Sequence, residues 1–357
     1  MEKYLIFIHP SELKGMQQNI WEHDYADGKL KIADKKFSIK VALRGNQIRK
    51  HKKKSYHILF EKPYLMDGQH EVHLNAEYND PSLIRNKLSF DFFESIGVLA
   101  PHSVHILLYI NGICQGIYLK LESFDEYYLR KRNLPDGTIY YATNNDANFS
   151  LYTPEKNLKS SLENGYTKKY DFQHDDSLKR LLFVINTFPK EKFCVEISKL
   201  LHVPKYLMWL AGVVCTQNFD GFIHNYALYH NTETELFEIT PWDYDGTWGR
   251  DLHGSPLEHD YIPIEGYNTL TARLLDCTDY RLMYRNFLHQ ILETQFTDQF
   301  QESIIGTLQH TIRPFINKDP NLKNKLAAFD QEQEYILGFI RERNKYLASK
   351  LDSLTKK

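Results

Sequence analysis

Cysteine is scarce in this chain: four in 357 residues, at Cys114, Cys194, Cys215 and Cys277. They lie far apart, with no C-x-x-C and no local Cys/His cluster. That spacing predicts neither zinc nor a disulfide scaffold, and it fits a reducing compartment best. Long hydrophobic runs are missing too. No stretch nears the ~20 apolar residues of a membrane span. The opening MEKYLIFIHPSELKG has too short an apolar run for a signal peptide, so synthesis and folding are expected in the cytoplasm. Charge of one sign is also lacking. A net charge of −2 gives no general drive toward nucleic acid or an anionic membrane, and neither is expected as a partner. There is no internal repeat, no low-complexity segment and no G-x-G-x-x-G.

What is present is a globular composition, 42% hydrophobic and 25% charged, with 24 Tyr and 21 Phe. Such aromatic content predicts large packed cores and little disorder. The first ~150 residues read mostly as strand. Phe37–Leu43 and Ser55–Phe60 alternate apolar and polar residues. Ser103–Ile110 and Gln115–Leu121 flank Asn111-Gly112, a strong hairpin signal. One helix is expected there, capped by Asp80, with Pro81 at its first position and Gly97 ending it. Residues ~145–175 look like a polar excursion. Helical patterns then follow at Ser177–Thr187, Lys190–Leu201 and Pro204–Cys215, and in several segments from Thr269 to Leu351. The expected fold class is α+β, a bilobal single unit over 1–357. Its strand-rich N-lobe spans about 1–150 and its helical C-lobe about 175–357.

Between these halves runs NFDGFIHNYALYHNTETELFEITPWDYDGTW. Asp220 precedes Asn225 by five positions, the interval between catalytic Asp and metal-binding Asn in the protein-kinase catalytic loop. Two strand-like runs, Tyr226–Tyr229 and Leu236–Thr240, follow, and then Asp243 stands where a kinase carries the Asp of D-F-G. Phosphoryl transfer needs divalent cations on the phosphates and a carboxylate beside the attacking hydroxyl. Asp220 would orient or deprotonate that hydroxyl. Asn225 and Asp243 would hold Mg2+ or Mn2+, which prefer oxygen ligands. Alone, Asp220 and Asn225 are ordinary turn residues; the hairpin and Asp243 give them a context. Asp245 is either a further ligand or a brace for its loop. Trp242 is a core aromatic or a surface on which a base stacks. His224 reads as structural or as support for the acids.

A nucleotide site also needs a lysine near the phosphates. The basic run Arg49–Lys54 leads into a strand, and Lys54 shares parity with Tyr56, Ile58 and Phe60. Lys54 is therefore the favoured ATP contact and Lys53 the reserve, against the plainer reading of a solvated basic loop. The hairpin at Asn111-Gly112 ends in KLESF. By position, Leu121–Ser123 are hinge candidates, and Glu122 is a candidate ribose or adenine contact. No acidic partner for the lysine can be assigned, since the helix after Asp80 offers Arg85 and Asn86 at mid-length.

Five stretches, RGNQIRKHKKKSYHILF, HLNAEYNDPSLIRNKLSFDFF, NGICQGIYLKLES, NFDGFIHNYALY and ITPWDYDGTWGRD, together resemble the spore coat protein H kinase family. They stand in the family's order over roughly residues 40–280. The resemblance implies an atypical, minimal protein-kinase-like fold that transfers the ATP γ-phosphate to serines of other spore coat proteins and supports outer-coat assembly. It implies Asp220 as the catalytic aspartate, Asp243 as the metal-binding aspartate and Asn225 as the loop amide. It also implies synthesis in the mother-cell cytoplasm followed by deposition in the spore coat. The family lacks the glycine-rich loop and the A-P-E segment, as this chain does.

Two other readings compete. DYDGT also resembles the D-x-D-G-T nucleophile signature of haloacid-dehalogenase-like phosphatases. However, the preceding LFEITPW alternates and contains Pro241, unlike a central parallel strand. A scaffold or pseudokinase with a vestigial site is the third reading, supported by the missing glycine-rich loop.

Overall fold

The computed structural model describes residues 1–356 other than 23 and 62–64. The chain divides into two compact units: residues 1–87, 101–123 and 304–334 form the first, and residues 88–100, 124–303 and 335–357 the second.

In the first unit, seven strands among the described residues close a barrel. They are β1 (Glu2–Ile8), β2 (Ala26–Ile32), β3 (Lys35–Arg44), β4 (Ser55–Phe60), β5 (Glu71–Asn75), β6 (Ser103–Ile110) and β7 (Ile113–Glu122). The order around the barrel is β1-β2-β3-β4-β5-β7-β6. All neighbours are antiparallel except β1 and β6, whose parallel pairing closes the ring. Alternation decides which side chains go inside. Ile39, Val41 and Leu43 of β3 meet Tyr56, Ile58 and Phe60 of β4 and Val72 and Leu74 of β5 in one core. The β6–β7 turn fits its sequence signal, since Asn111 (φ 49°) and Gly112 (φ 80°) both take the left-handed conformation a tight hairpin requires.

The second unit pairs a four-stranded antiparallel sheet with helices. Its strands are β8 (Gly137–Ala142), β9 (Tyr166–Tyr170), β10 (Tyr226–Asn231) and β11 (Leu236–Pro241), in the order β11-β10-β8-β9. The helix Val203–Thr216 is buried along most of its length, including Tyr206, Trp209, Leu210 and Val213, and it leads directly toward Asp220. Ser177–Thr187 is helical over the span its pattern predicts.

Three expectations change. The strand-rich region does not run to residue ~150 as one body: β8 pairs with β10, about ninety positions later in the chain, so residues 124–303 join the second unit. The helix after Asp80 begins at Arg85. Asp80 holds the preceding turn through Ser82 N–H (2.9 Å) and Arg85 N–H (2.9 Å), and Leu83 sits at φ 60°. Finally, Cys194 and Cys277 are joined by a disulfide across 83 residues, with Cα atoms 6.0 Å apart. Cys194 lies in the helix Lys190–Ile197, and Cys277 caps the helix Thr278–Glu293. Sequence spacing carries no sign of their meeting.

Candidate functional site

Hairpin geometry assembles the acids. Strands β10 and β11 pair antiparallel with Tyr226 opposite Pro241, so the residue before β10 and the residues after β11 emerge at the same end. The Trp242 N–H extends the ladder by one bond to the Asn225 carbonyl (2.9 Å). Asn225 Nδ2 then donates to the Asp243 carbonyl at 2.9 Å. Both residues are left-handed, Asn225 at φ 58° and Asp243 at φ 59°. Asn and Asp tolerate that conformation better than other side chains, and held strain of this kind gathers at functional sites.

Asp220 opens a short 3-10 turn, Asp220–Phe222, four residues beyond the helix Val203–Thr216. Burial pushes its carboxyl above the ordinary range, His224 opposes the shift, and the Asp243 carboxylate adds to it. The two acids therefore act on each other electrostatically. Asn218, whose role is not evident from the sequence, supports both. Its Oδ1 accepts the Gly221 N–H (3.1 Å), and its Nδ2 reaches the Asp243 carbonyl (3.4 Å). The pattern Asn-Phe-Asp-Gly does carry a signal for this, since asparagine bonds to backbone groups just downstream. Beside Asp220 lies a cavity of about 270 Å³, bordered by Asn218, Phe219, Gly246, Asp251, His253 and Tyr261.

Asp245 accepts the N–H of Gly246 (2.9 Å) and so shapes its own loop. Trp242 is largely buried and packs on Tyr141, with ring centroids 4.9 Å apart. Tyr244, between the two acids, is fully buried against Phe90 and Phe93. It anchors the loop so that residues 243 and 245 are less buried than their neighbours.

The remaining candidates belong to the first unit. Lys53 and Lys54 precede β4, which starts at Ser55, so strand parity does not extend to Lys54. Lys54 instead folds back to donate to the Arg49 carbonyl. Lys53 is buried. Its ammonium meets Asp319 Oδ2 at 2.9 Å and the Ile117 carbonyl at 2.5 Å, and it lies 4.7 Å from the Tyr118 ring centre. Burial pulls the Lys53 ammonium below its usual range against the pull of Asp319. Asp319, whose burial alone would raise it, is held below the carboxylate range by Lys53 and the Ile117 N–H. Asp319, 266 positions away, is thus the buried ion-pair partner of Lys53, a pairing with no local sequence signal. Arg49 is likewise buried, its guanidinium spent on the carbonyls of Ile20, Leu43 and Gly45. The run is therefore not simply a solvated loop. Glu122 is buried at the end of β7 and accepts the His102 N–H at 3.1 Å.

The donor set of the second unit fits a hard divalent cation. Asp220, Asn225 and Asp243 offer oxygen atoms, and with the Asn225 amide nitrogen already bonded, its oxygen is the atom it could give a metal. A cation would also offset the burial, and the lesser repulsion from Asp243, that raise Asp220.

Among known proteins, the inner spore coat protein H of Bacillus subtilis (strain 168) is 48% identical over 98% of both chains. The inner spore coat protein H-like protein of the same organism is 27% identical over 99% of this chain and 100% of its own. Two solved structures show weaker likeness. A chain of the HipA, HipB and operator DNA complex of Shewanella oneidensis MR-1 matches at TM-score 0.41 and 11% identity, over 99% of this chain and 74% of that one. The Helicobacter pylori proinflammatory kinase CtkA matches at TM-score 0.33 and 10% identity, over 77% and 95%. The family model described as CotH kinase protein matches residues 41–347, and with most of its length so covered the chain belongs to the CotH kinase family.

Proposed function

We propose that the protein is an ATP-dependent protein serine kinase, of kinase-like fold, that phosphorylates spore coat proteins and so supports outer-coat assembly. One observation carries this reading: the β10–β11 hairpin brings Asn225 against Asp243, and Asp243 in turn acts on Asp220. Asp220 holds the acceptor serine hydroxyl and takes its proton as that oxygen attacks the γ-phosphorus and ADP departs. Asn225 and Asp243 would hold Mg2+ or Mn2+, which would neutralise charge on the phosphates. The cavity beside Asp220 is where the acceptor side chain enters. Synthesis in the mother-cell cytoplasm and a final place in the spore coat complete the proposal, in keeping with the name of the 48% identical relative. Among the described residues, no helix is long and apolar enough to cross a membrane.

The phosphohydrolase alternative loses support from topology. Strand β11 is the edge of an antiparallel sheet, whereas a nucleophile of that class should follow a central parallel strand. The scaffold alternative leaves the convergence of the three polar residues without a purpose.

The test is transfer of label from γ-labelled ATP to a serine-containing coat protein with Mg2+ or Mn2+. Asp220→Ala should lose about 10²–10⁴-fold in rate, the usual worth of a positioned base, and Asp243→Ala should lose transfer altogether, with circular dichroism unchanged. Unchanged transfer by either variant would sink the kinase. Label trapped on Asp243 as an acyl phosphate would turn the assignment to a phosphohydrolase. ATP binding without transfer by the wild type would turn it to a scaffold.

A further inference from the structure

The sequence holds no compact Cys/His cluster, yet the pairing of β4 with β5 assembles a His/Glu site on the first unit. His57 of β4 lies directly opposite His73 of β5, and Glu71 stands two residues before His73 on the same strand. Their neighbours Tyr56, Ile58, Val72 and Leu74 fill the barrel core, so by alternation these three side chains lie together on the outer face. Glu71 and His73 are each only 7% exposed there. One ligand atom from each residue lies within 4.8 Å of the other two.

We propose that His57, Glu71 and His73 bind a zinc ion. Two imidazoles and a carboxylate are a zinc donor set that leaves a fourth position for water, and imidazole argues against magnesium or calcium. His57 Nε2 lies 3.1 Å from Glu71 Oε2, yet that buried nitrogen makes no hydrogen bond. Two ligands of one tetrahedral zinc approach to ~3.3 Å, given bonds of about 2.0–2.1 Å. Proximity without a hydrogen bond is what such a pair shows. The two rings stack at 4.9 Å, which keeps both imidazoles on the carboxylate.

The surroundings orient the ligands as metal sites require. Tyr25 Oη lies 2.8 Å from His57 Nδ1. With Nδ1–H donating to it, Nε2 becomes the bare, metal-binding nitrogen. Ser123 Oγ donates to Glu71 Oε1 at 2.5 Å, fixing the carboxylate. A bound ion would join β4 to β5 through side chains as well as backbone.

The test uses the full chain purified without a histidine tag, stripped with chelator and titrated calorimetrically with zinc chloride. The wild type should take up one equivalent, and cobalt in its place should give the intense visible bands of a tetrahedral centre. His57→Gln and His73→Gln should each weaken zinc by about 100-fold or more, and Tyr25→Phe, which only unsupports a ligand, by about 10-fold. Uptake by the wild type no tighter than by a His57→Gln/His73→Gln double variant, or an octahedral cobalt spectrum, overturns the proposal. The wild-type cobalt spectrum and Tyr25→Phe decide the matter even if a histidine variant fails to fold.

Discussion

Asp220 pays for its position. Burial and the Asp243 carboxylate raise its pKa in the folded chain, so the native state binds a proton there more tightly than the unfolded chain, whose aspartates titrate near ~3.9. The sign follows from linkage: stability contributed by the proton is present at low pH and is lost as pH rises through the raised native value. Metal-free protein should therefore gain stability at neutral pH when Asp220→Asn removes the charge, while transfer slows by about 10²–10⁴-fold. Urea unfolding at acid and neutral pH reads this directly: the variant's advantage should be present at neutral pH and shrink toward pH 4. A second variant isolates the cause. Asp243→Asn should lower the Asp220 titration midpoint in carboxyl-carbon NMR, since the repulsion from the neighbouring carboxylate is gone while the burial remains. An unmoved midpoint would mean that the two carboxylates do not face each other.

At the scale of elements, local pairing was readable and distant pairing was not. Hairpin β10–β11 and the Asn111-Gly112 turn announce themselves through alternation and turn residues a few positions apart. The meeting of Asn225 with Asp243 is legible because one such hairpin makes it. Strand β8 finding β10 leaves no local trace. Neither does the return of residues 304–334 to the barrel unit, where Asp319 meets Lys53. Gly116 records that meeting only in hindsight: at φ 106° it has room for Asp319 where any Cβ would collide with the carboxylate. Asp319 Oδ2 accepts from both Lys53 and the Ile117 N–H (2.9 Å), so its removal leaves a buried ammonium without its counter-charge and a buried N–H without an acceptor. Asp319→Ala should cost about 3–5 kcal/mol, the usual penalty for breaking a buried pair from one side. Lys53→Met combined with Asp319→Leu should recover much of it. Equilibrium denaturation of the three variants checks this, and equal losses for single and double changes would refute a paired role. Because Asp319 titrates below its unfolded value, its contribution should be complete above pH ~3.9 and fade only as pH falls through the lower native value.

At the scale of the whole molecule, composition and pattern established an α+β chain with extensive aromatic cores, since core size follows from aromatic content and elements from periodicity. Where the chain would divide was less accessible, because both units draw on segments from distant parts of the sequence. The same limit hid the disulfide. Cys194 and Cys277 stand 83 residues apart, and only the packing of their helices makes them neighbours. That distance sets the size of the effect. A crosslink acts mainly by shrinking the unfolded ensemble, and closing a loop of this length is worth about 4.5 kcal/mol at 25 °C on the chain-entropy estimate. Reduction, or Cys194→Ser, should therefore lower the unfolding temperature measured by calorimetry, with the loss confined to the unit that contains both residues. The site acids lie in that unit, so transfer activity should fall at a lower temperature in step with it. Zinc binding at His57, Glu71 and His73 belongs to the other unit and should survive reductant unchanged. Identical melting with and without reductant would mean that the two sulfurs are not joined in solution, and free-thiol titration of the unfolded chain would then count four cysteines in place of two.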